Sequence, residues 1–532
     1  MSGTASPPTT WSPLRRPVFR SIWIASVVSN TGTWMQDLGA SWLMTSLTDR
    51  AFLIAMVQVA VTAPVFLLAL PAGGLADILD RRRYLLGTYA YLSLVAAVMG
   101  LVTLLGLMTA TTLLFGTLAL GIGIALTQPA FASILPELVA RDELQSAVML
   151  NSISLNVSRT VGPAIAGVII ALHGTWLVFV LNAFTFSALL VVILRWRRET
   201  TDAALPSERL IGALGAGLRY ASASPGLLTV LIRGVAYFVP ASAVIALLPI
   251  VARQQLDGDA ATYGWLLGAM GIGAVAGAVL MPQTRRRLDR EDQVRYGTVV
   301  VAAVLLLLSQ VDRLEIALPV MLVGGVAWVN AVSSLQTAGQ LCLPSWVRAR
   351  GLSLVTMAFM GGIALGAATW GHLADLLDVP TSLMCAAATS LVLLLVTHHR
   401  QLQVYEGDEL MPAPAWPIPT PVEKVAGDRG PVMVTVEYQI DPTRAREFSR
   451  VMREMRRIRL RNGAISWGLF ADTGRLGRYL EHFMVLSWIE HVRFSRRITV
   501  AERKVMDAAH TFHEEEGGPV TRHFIAQRLP RN

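Results

Sequence analysis

Charge is scarce in this chain. Asp, Glu, Lys and Arg make up 15% of its 532 residues, against about 25% in an ordinary soluble domain. A hydrophobic share of 53% and a mean hydropathy of +0.52 accompany the shortage. These values exclude an ordinary soluble protein and place the chain among integral membrane proteins. Cysteine is scarcer still. Cys342 and Cys385 are the only two, both in apolar runs and without metal-like spacing, which excludes a disulfide framework or a zinc site. No metal site and no cofactor are expected. The phosphate-binding pattern G-x-x-x-x-G-K-[ST] is absent, so the expected energy source is an ion gradient rather than ATP. No short apolar region with a small-residue cleavage site follows Arg15, Arg16 and Arg20, and the first apolar run reads as an uncleaved membrane helix. The net charge of +9 does not signal nucleic acid, because the arginines gather in short loops between apolar runs.

What the chain does have is long apolar runs. A helix needs about 20 mostly apolar residues to cross a bilayer. Twelve runs qualify: 19–46, 51–76, 84–107, 111–135, 144–172, 175–195, 225–251, 261–283, 295–311, 314–341, 350–375 and 380–398. Arginines alternate between the loops. Arg15, Arg16, Arg20, Arg81, Arg82, Arg83, Arg141, Arg195, Arg197, Arg198, Arg209, Arg285, Arg286, Arg287, Arg290, Arg348 and Arg350 lie on one side; Arg50, Arg253 and Arg313 lie on the other. The asymmetry places both termini in the cytoplasm. The chain also repeats itself. "GGLADILDRRR" closes the second run and "GAVLMPQTRRR" the eighth, with Gly73 matching Gly277 and Arg81–Arg83 matching Arg285–Arg287. "LPELVARDEL" and "LPSWVRARGL" lead into the fifth and eleventh runs. Two parallel six-helix halves with a site between them at mid-depth are a transporter plan. The expected organisation is a cytoplasmic N-terminus (1–18), two six-helix halves (19–195 and 225–398) around a central cytoplasmic loop (196–224), a proline-rich linker (399–430) and a soluble tail (431–532).

The segment "GGLADILDRRR" resembles the signature loop between the second and third spans of the major facilitator superfamily. The resemblance implies a cytoplasmic gate built on Gly73, Gly74, Asp77, Arg81, Arg82 and Arg83; alternatively the arginines are only topology anchors. In the second half Met281 stands where the first has Asp77. "RTVGPAIAG" resembles the glycine–proline motif in the fifth span of exporter branches, carried here by Gly162, Pro163 and Gly167. Ordinary small-residue packing is the alternative, as in "GWLLG" (264–268) and "GGIALG" (361–366). "NTGTWMQDLGASWLMTSLT" and "RDELQSAVMLNSISLNVSRTVGPAIAG" together are similar to the transmembrane secretion effector group, which includes siderophore and drug exporters. The implied fold is all-α and polytopic, with twelve transmembrane helices in two pseudo-repeated halves.

Ionisable residues inside a span are costly, about 2.5–3.5 kcal/mol each on insertion scales, and usually functional. Asp37 is the one carboxylate well inside a run, and it continues a polar face with Ser26, Asn30, Thr33 and Ser41. Arg159 shares a face with Ser152 and Asn156. The expectation is that Asp37 and Arg159 couple across the cavity, with Asp37 carrying a proton; a fixed ion pair is the alternative. Arg233 reads either as an attractor of anionic substrate or as a side chain reaching an interface. Gln58, Asn182, Asn330 and Gln336 are further polar candidates.

The tail changes character. "VMVTVEYQI" alternates as a strand, "DPTRAREFSRVMREMRRIR" is a basic amphipathic helix with Asp441 as its cap, "ISWGLFAD" and "YLEHFMVLSW" read as paired strands, "TVAERKVMDAAHTFH" as a helix and "VTRHFIAQ" as a last strand. The order β-α-β-β-α-β is ferredoxin-like. "YLEHFMVLSWIEHVRFSRR" also resembles small dimeric barrels of the antibiotic-biosynthesis monooxygenase type, which implies dimerisation through the tail. His482, His491, Trp488 and Asn462 are candidate participants in a reaction there, but His482 and His491 read as strand-end and surface residues. The function expected overall is export of small amphipathic molecules by proton antiport, not catalysis, in a cytoplasmic membrane, with substrate, protons and lipid as partners and no nucleic acid. An uptake carrier, or a membrane-tethered sensor or monooxygenase-like module, is the alternative.

Overall fold

In hydrocarbon a backbone amide has no water to bond, so an apolar run must satisfy its own polar groups as a helix. The structure, a computed structural model, describes residues 11–196, 220–402, 407–413 and 426–527; Arg197, Arg198 and Arg209 lie outside them. Twelve long helices occupy the apolar runs of the described residues. The first six are α1 (Pro17–Leu47), α2 (Ala51–Ile78), α3 (Arg81–Leu104), α4 (Ala110–Leu138), α5 (Leu144–His173) and α6 (Thr175–Arg195). The second six are α7 (Pro225–Ile250), α8 (Ala260–Thr284), α9 (Arg290–Leu308), α10 (Leu314–Leu341), α11 (Arg348–Leu376) and α12 (Val379–Thr397). Ten of these are long and apolar enough to cross a membrane; α1 and α9 fall short of that standard. The polar face around Asp37 dilutes α1, and Arg290, Glu291, Asp292 and Arg295 crowd the start of α9.

Many of the acids have an end-capping task. Asp80, Asp259, Asp289 and Asp378 accept the backbone N–H three residues on and cap α3, α8, α9 and α12. Each satisfies an amide that the first helical turn leaves open. The Thr262 amide holds the Asp259 carboxyl below its ordinary range.

The described chain forms two compact units. One takes in residues up to 207, 231–336 and 355–401; the other takes in 208–230, 337–354 and 402–532. Within the first, α1 and α5 run side by side in the same direction. Trp23 Nε1 donates to the Leu150 carbonyl (2.9 Å), Asn30 Nδ2 to Ser154 Oγ (3.3 Å) and Ser158 Oγ to the Val27 carbonyl (3.1 Å). The two sets of six helices touch at the ends remote from Arg81–Arg83. There Arg50 pairs with Asp375 (3.5 Å), Phe52 N donates to the same carboxylate (3.1 Å) and Arg253 donates to Thr45 Oγ1 (3.0 Å). Trp42 stacks on Tyr263 at 6.3 Å in the same region.

The second unit holds a four-stranded antiparallel sheet of order β2-β3-β1-β4. Its strands are β1 (Val432–Gln439), β2 (Ser466–Ala471), β3 (Arg478–Val485) and β4 (Val520–Ile525); its helices are α13 (Ala445–Arg461), α14 (Trp488–Arg497) and α15 (Val500–His510). Val432, Val434, Val436, Phe483 and Val485 point into a core closed by Phe448, Met452 and Met455 of α13. Asp441 caps a 3₁₀ turn just ahead of α13 rather than α13 itself. The segment 337–354 belongs to the same unit: Arg497 of α14 lies over the Trp346 ring at 4.3 Å, and Tyr220 meets Trp346 edge-on at 5.7 Å.

One sequence reading of the tail is corrected. The strand read through Trp488 ends at Val485, and α14 begins at Trp488, capped by Ser487. His491 therefore lies on a helix and is 4% exposed, not on the surface. Burial, then neighbouring His523, then the Arg459 charge hold its imidazole down to about 4. The same burial lowers His510 and His523. An unfolded chain takes up these protons near 6.5, whereas folded His491 does so only near 4. Stability of the tail is thus full above about pH 6.5 and falls as the pH drops from there toward 4. For His491 alone the expected loss at pH 4 is on the order of 3 kcal/mol. Hydrogen-exchange protection factors of residues 431–527 in the full chain, taken against the intrinsic exchange rate at each pH, should fall across that range in the native protein and less so in His491→Phe; identical protection profiles would contradict this.

Candidate functional site

Small residues decide how closely helices approach in a membrane, where no hydrophobic force drives them together. The glycine–proline segment of α5 sits where three helices cross. A Cβ on Gly162 would stand 2.8 Å from Trp34 Cβ and 3.0 Å from the Thr31 carbonyl of α1. One turn on, a Cβ on Gly167 would stand 2.7 Å from the Ala260 carbonyl and 3.1 Å from Gly264 Cα of α8. The Pro163 carbonyl faces Gly264 in return, and Gly271 is pressed against Thr160. Gly162 thus seats α5 on α1, while Pro163 and Gly167 form a seam that joins the first six helices to the second. "GWLLG" contributes Gly264 to the same seam. In "GGIALG", Gly366 meets the Val239 carbonyl and Gly361 the ring of Phe66.

Beside this seam lies Arg159. Its guanidinium carbon is 5.6 Å from the ring of Trp34 on α1 and 5.6 Å from the ring of Trp328 on α10. Tyr237 of α7, 2% exposed, meets the same Trp328 ring at 6.1 Å. Trp328 in turn packs with Tyr237 and Phe238, and Phe238 with Phe359 of α11.

Asp37 has different surroundings. It lines a small cleft among α1, α2, α4 and α6 with Thr33, Gln36, Val61, Thr117, Gly121, Asn182 and Phe186. Gln36 is held there by Asn182, whose Nδ2 donates to its Oε1 at 2.6 Å. Among the described residues Asp37 forms no ion pair, with Arg159 or any other cation. The fixed-pair alternative for Asp37 and Arg159 is therefore not the arrangement found. What joins the two is α1: Trp34, which touches Arg159, is three residues before Asp37 and on the same helical face.

The other polar candidates are dispersed. Asn30 donates to Ser154 across α1 and α5. Asn156 is exposed and donates to its own helix at the Ser152 carbonyl (2.8 Å). Gln58 is half-buried on α2. Asn330 donates to the Val326 carbonyl (2.9 Å), and its Oδ1 is buried without a partner. Arg233 is engaged by protein partners. It is 2% exposed, and its guanidinium donates to Glu291 Oε1 of α9 (2.5 Å) and to the Thr397 carbonyl of α12 (3.2 Å). A buried arginine so paired ties three helices together where α9 begins and α12 stops, and its fork is already occupied by protein acceptors.

In the loop motif, Arg81 donates to Glu137 Oε1 (2.7 Å) and the Ser133 carbonyl (3.1 Å) of α4. Arg82 donates to the Ile193 and Leu194 carbonyls that end α6 (3.3 and 2.7 Å), where a cation suits the negative end of the helix dipole. The Arg83 amide is the one capped by Asp80. Gly73 faces open space and Gly74 is half-buried; the Asp77 side chain lies outside the described residues. In the tail, Asn462 ends α13 and donates to Glu502 (2.9 Å), a structural task. Among the described residues no group of three or more His, Cys, Asp or Glu could hold a metal.

Sequence reasoning overlooked Trp34, Trp328 and Tyr237 as the frame of Arg159. Their meeting joins helices hundreds of residues apart, and no local pattern announces it. It also overlooked Glu481 and Arg459, although both occupy core-facing positions: Glu481 alternates with Phe483 and Val485 on β3, and Arg459 follows Met452 and Met455 on α13.

A family model described as "Transmembrane secretion effector" matches residues 8–530. The staphyloferrin A transporter of Staphylococcus aureus is 25% identical over 47% of this chain, which spans 64% of that protein's length. The multidrug efflux pump Tap of Mycolicibacterium fortuitum is 24% identical over 70% of the chain and 93% of its own. The enterobactin exporter EntS of Escherichia coli O1:K1 is 26% identical over 71% of the chain and 90% of its own. Among solved structures, a bacterial homologue of the lysosomal transporter Spinster, inward-facing and unoccupied, aligns with a TM-score of 0.56 at 14% identity. That alignment covers 72% of this chain and 96% of that one.

Proposed function

We propose that this chain, which belongs to the transmembrane secretion effector family of the major facilitator superfamily, is a secondary active exporter of small amphipathic, siderophore- or drug-like molecules. It works by proton antiport and alternating access. The observation that carries the reading is the α5 seam. Glycine-lined contact between two six-helix sets lets them tilt against each other, and Arg159 and the cleft of Asp37 lie beside it. The named activities of the multidrug efflux and enterobactin exporter relatives support export.

In this reading all twelve helices span a cytoplasmic membrane, including the two more polar ones, and both termini are cytoplasmic. The ends where the halves touch are then the outer ends, and the conformation is closed toward the outside. Asp37 carries the exchanged proton, and α1 transmits its charge state to Arg159 through Trp34. Asn30, Asn156, Gln58 and Asn330 border the path, and the loop from Gly73 to Arg83, with Asp77, gates its cytoplasmic end. The tail, with its 2-3-1-4 strand order, is a ferredoxin-like domain that serves as a dimerising or ligand-sensing module.

The test is a proteoliposome assay with the cytoplasmic face outward, an acidic lumen and a panel of siderophores, dyes and antibiotics. Accumulation in the lumen that collapses with the pH gradient is expected for at least one compound. Accumulation indifferent to the gradient, or none across the panel, would sink the proposal.

A further inference from the structure

A guanidinium offers five N–H donors in a fixed fork and cannot be neutralised. Inside a membrane protein those donors ordinarily find carboxylates or carbonyls, as Arg233 does. Arg159 is the exception. Among the described residues it has no hydrogen bond and no ion pair, only the faces of Trp34 and Trp328, both at 5.6 Å. The second anomaly is beside it. The hydroxyl of Tyr237 is buried, on a residue 2% exposed, and has no hydrogen-bond partner. An unmet buried hydroxyl costs about 1–3 kcal/mol. A cation without an acceptor and a donor without an acceptor stand together, walled by indole rings from both halves.

We propose that Arg159, Tyr237, Trp34 and Trp328 form a receptor for the anionic head of a flat, unsaturated organic acid. The carboxylate or phenolate oxygens accept from the Arg159 fork and the Tyr237 hydroxyl, and the planar body lies against indole. The ring faces hold Arg159 in place while the site is empty. Because Trp34 lies on α1 and Trp328 on α10, occupancy is registered by both halves. The proposal rests on the export reading and narrows its substrate to anions.

The test measures binding before transport. Purified full-length protein in detergent is titrated with 1-naphthoate and, as the uncharged isostere, 1-naphthamide, and tryptophan fluorescence is followed. Naphthoate should bind about tenfold or more tighter than the amide, the size expected of charge-assisted hydrogen bonds. Arg159→Gln should erase that preference, and Tyr237→Phe, which removes one oxygen, should reduce it several-fold. Arg159→Lys should keep a weaker preference, since it retains charge without the fork. If Arg159→Gln does not fold, Tyr237→Phe and Arg159→Lys still decide. Equal affinity for acid and amide in the native protein, or a preference unchanged in these variants, overturns the proposal, whatever the transport assay gives. An Arg159-dependent preference in a protein that moves no compound in proteoliposomes would keep the receptor and remove the exporter.

Discussion

Asp37→Asn is expected to reduce accumulation driven by a pH gradient to the level of empty vesicles, while substrate still exchanges at equilibrium across the same membrane. The change keeps the shape of the side chain and removes its capacity to carry a proton. It leaves no stranded partner, because Asp37 lines its cleft with Thr33, Gln36, Asn182 and Phe186 and no cation. Charge within a span costs about 2.5–3.5 kcal/mol on insertion scales, so the variant should fold at least as well as the native chain. Paired assays of gradient-driven uptake and counterflow separate the outcomes. Native gradient response in Asp37→Asn would remove the proton from this residue.

The same chemical change has the opposite consequence at Glu481. There the carboxylate is fully buried, and Arg459 Nε and Nη2 donate to it at 2.9 and 3.2 Å. Trp467 Nε1 donates to the same group at 2.9 Å and the Tyr438 hydroxyl at 3.4 Å. Glu481→Gln takes the carboxylate charge away from the fully buried Arg459 guanidinium that donates to it. Breaking a buried pair in this way costs about 3–5 kcal/mol, a large part of the roughly 5–15 kcal/mol that holds a domain together. Residues 431–527 should lose hydrogen-exchange protection in the full-length protein while the helical bundle keeps its own. Replacing both partners, Glu481→Leu with Arg459→Met, should recover much of the loss, since an apolar pair of similar volume strands no charge. Unchanged protection in Glu481→Gln would show that the pair contributes nothing.

How far the sequence reaches depends on the range of the signal. Apolar runs are local, and helices lie where they run because a bilayer allows little else. Asp37 is conspicuous without any structure, since a carboxylate amid apolar residues has no local excuse. Arg233 is equally conspicuous, but its partner is not. Its partner, Glu291, looks like an ordinary acid in the first turn of a helix, and only the packing of α7 on α9 joins them. His491 was legible and overlooked: Ser487 and Glu490 form the S-x-x-E signature of a helix start, and the alternation of "YLEHFMV" carried the strand reading past it. Arg159 lies at the limit. Its presence is visible in the chain, but the two indoles that flank it come from positions 34 and 328.

The seam of α5 and α8 has a mechanical consequence. Side chains that interlock as ridges in grooves must climb over one another before helices can slide. Between Gly167 and Gly264 backbone rests on backbone, and there is no ridge to climb. For the rocking proposed above, such a joint would serve as a bearing, low in friction because it has no teeth. In the alternating-access cycle proposed above, a residue with even one branch at 167 or 264 is expected to act as a wedge, stopping transport in a protein that is otherwise assembled.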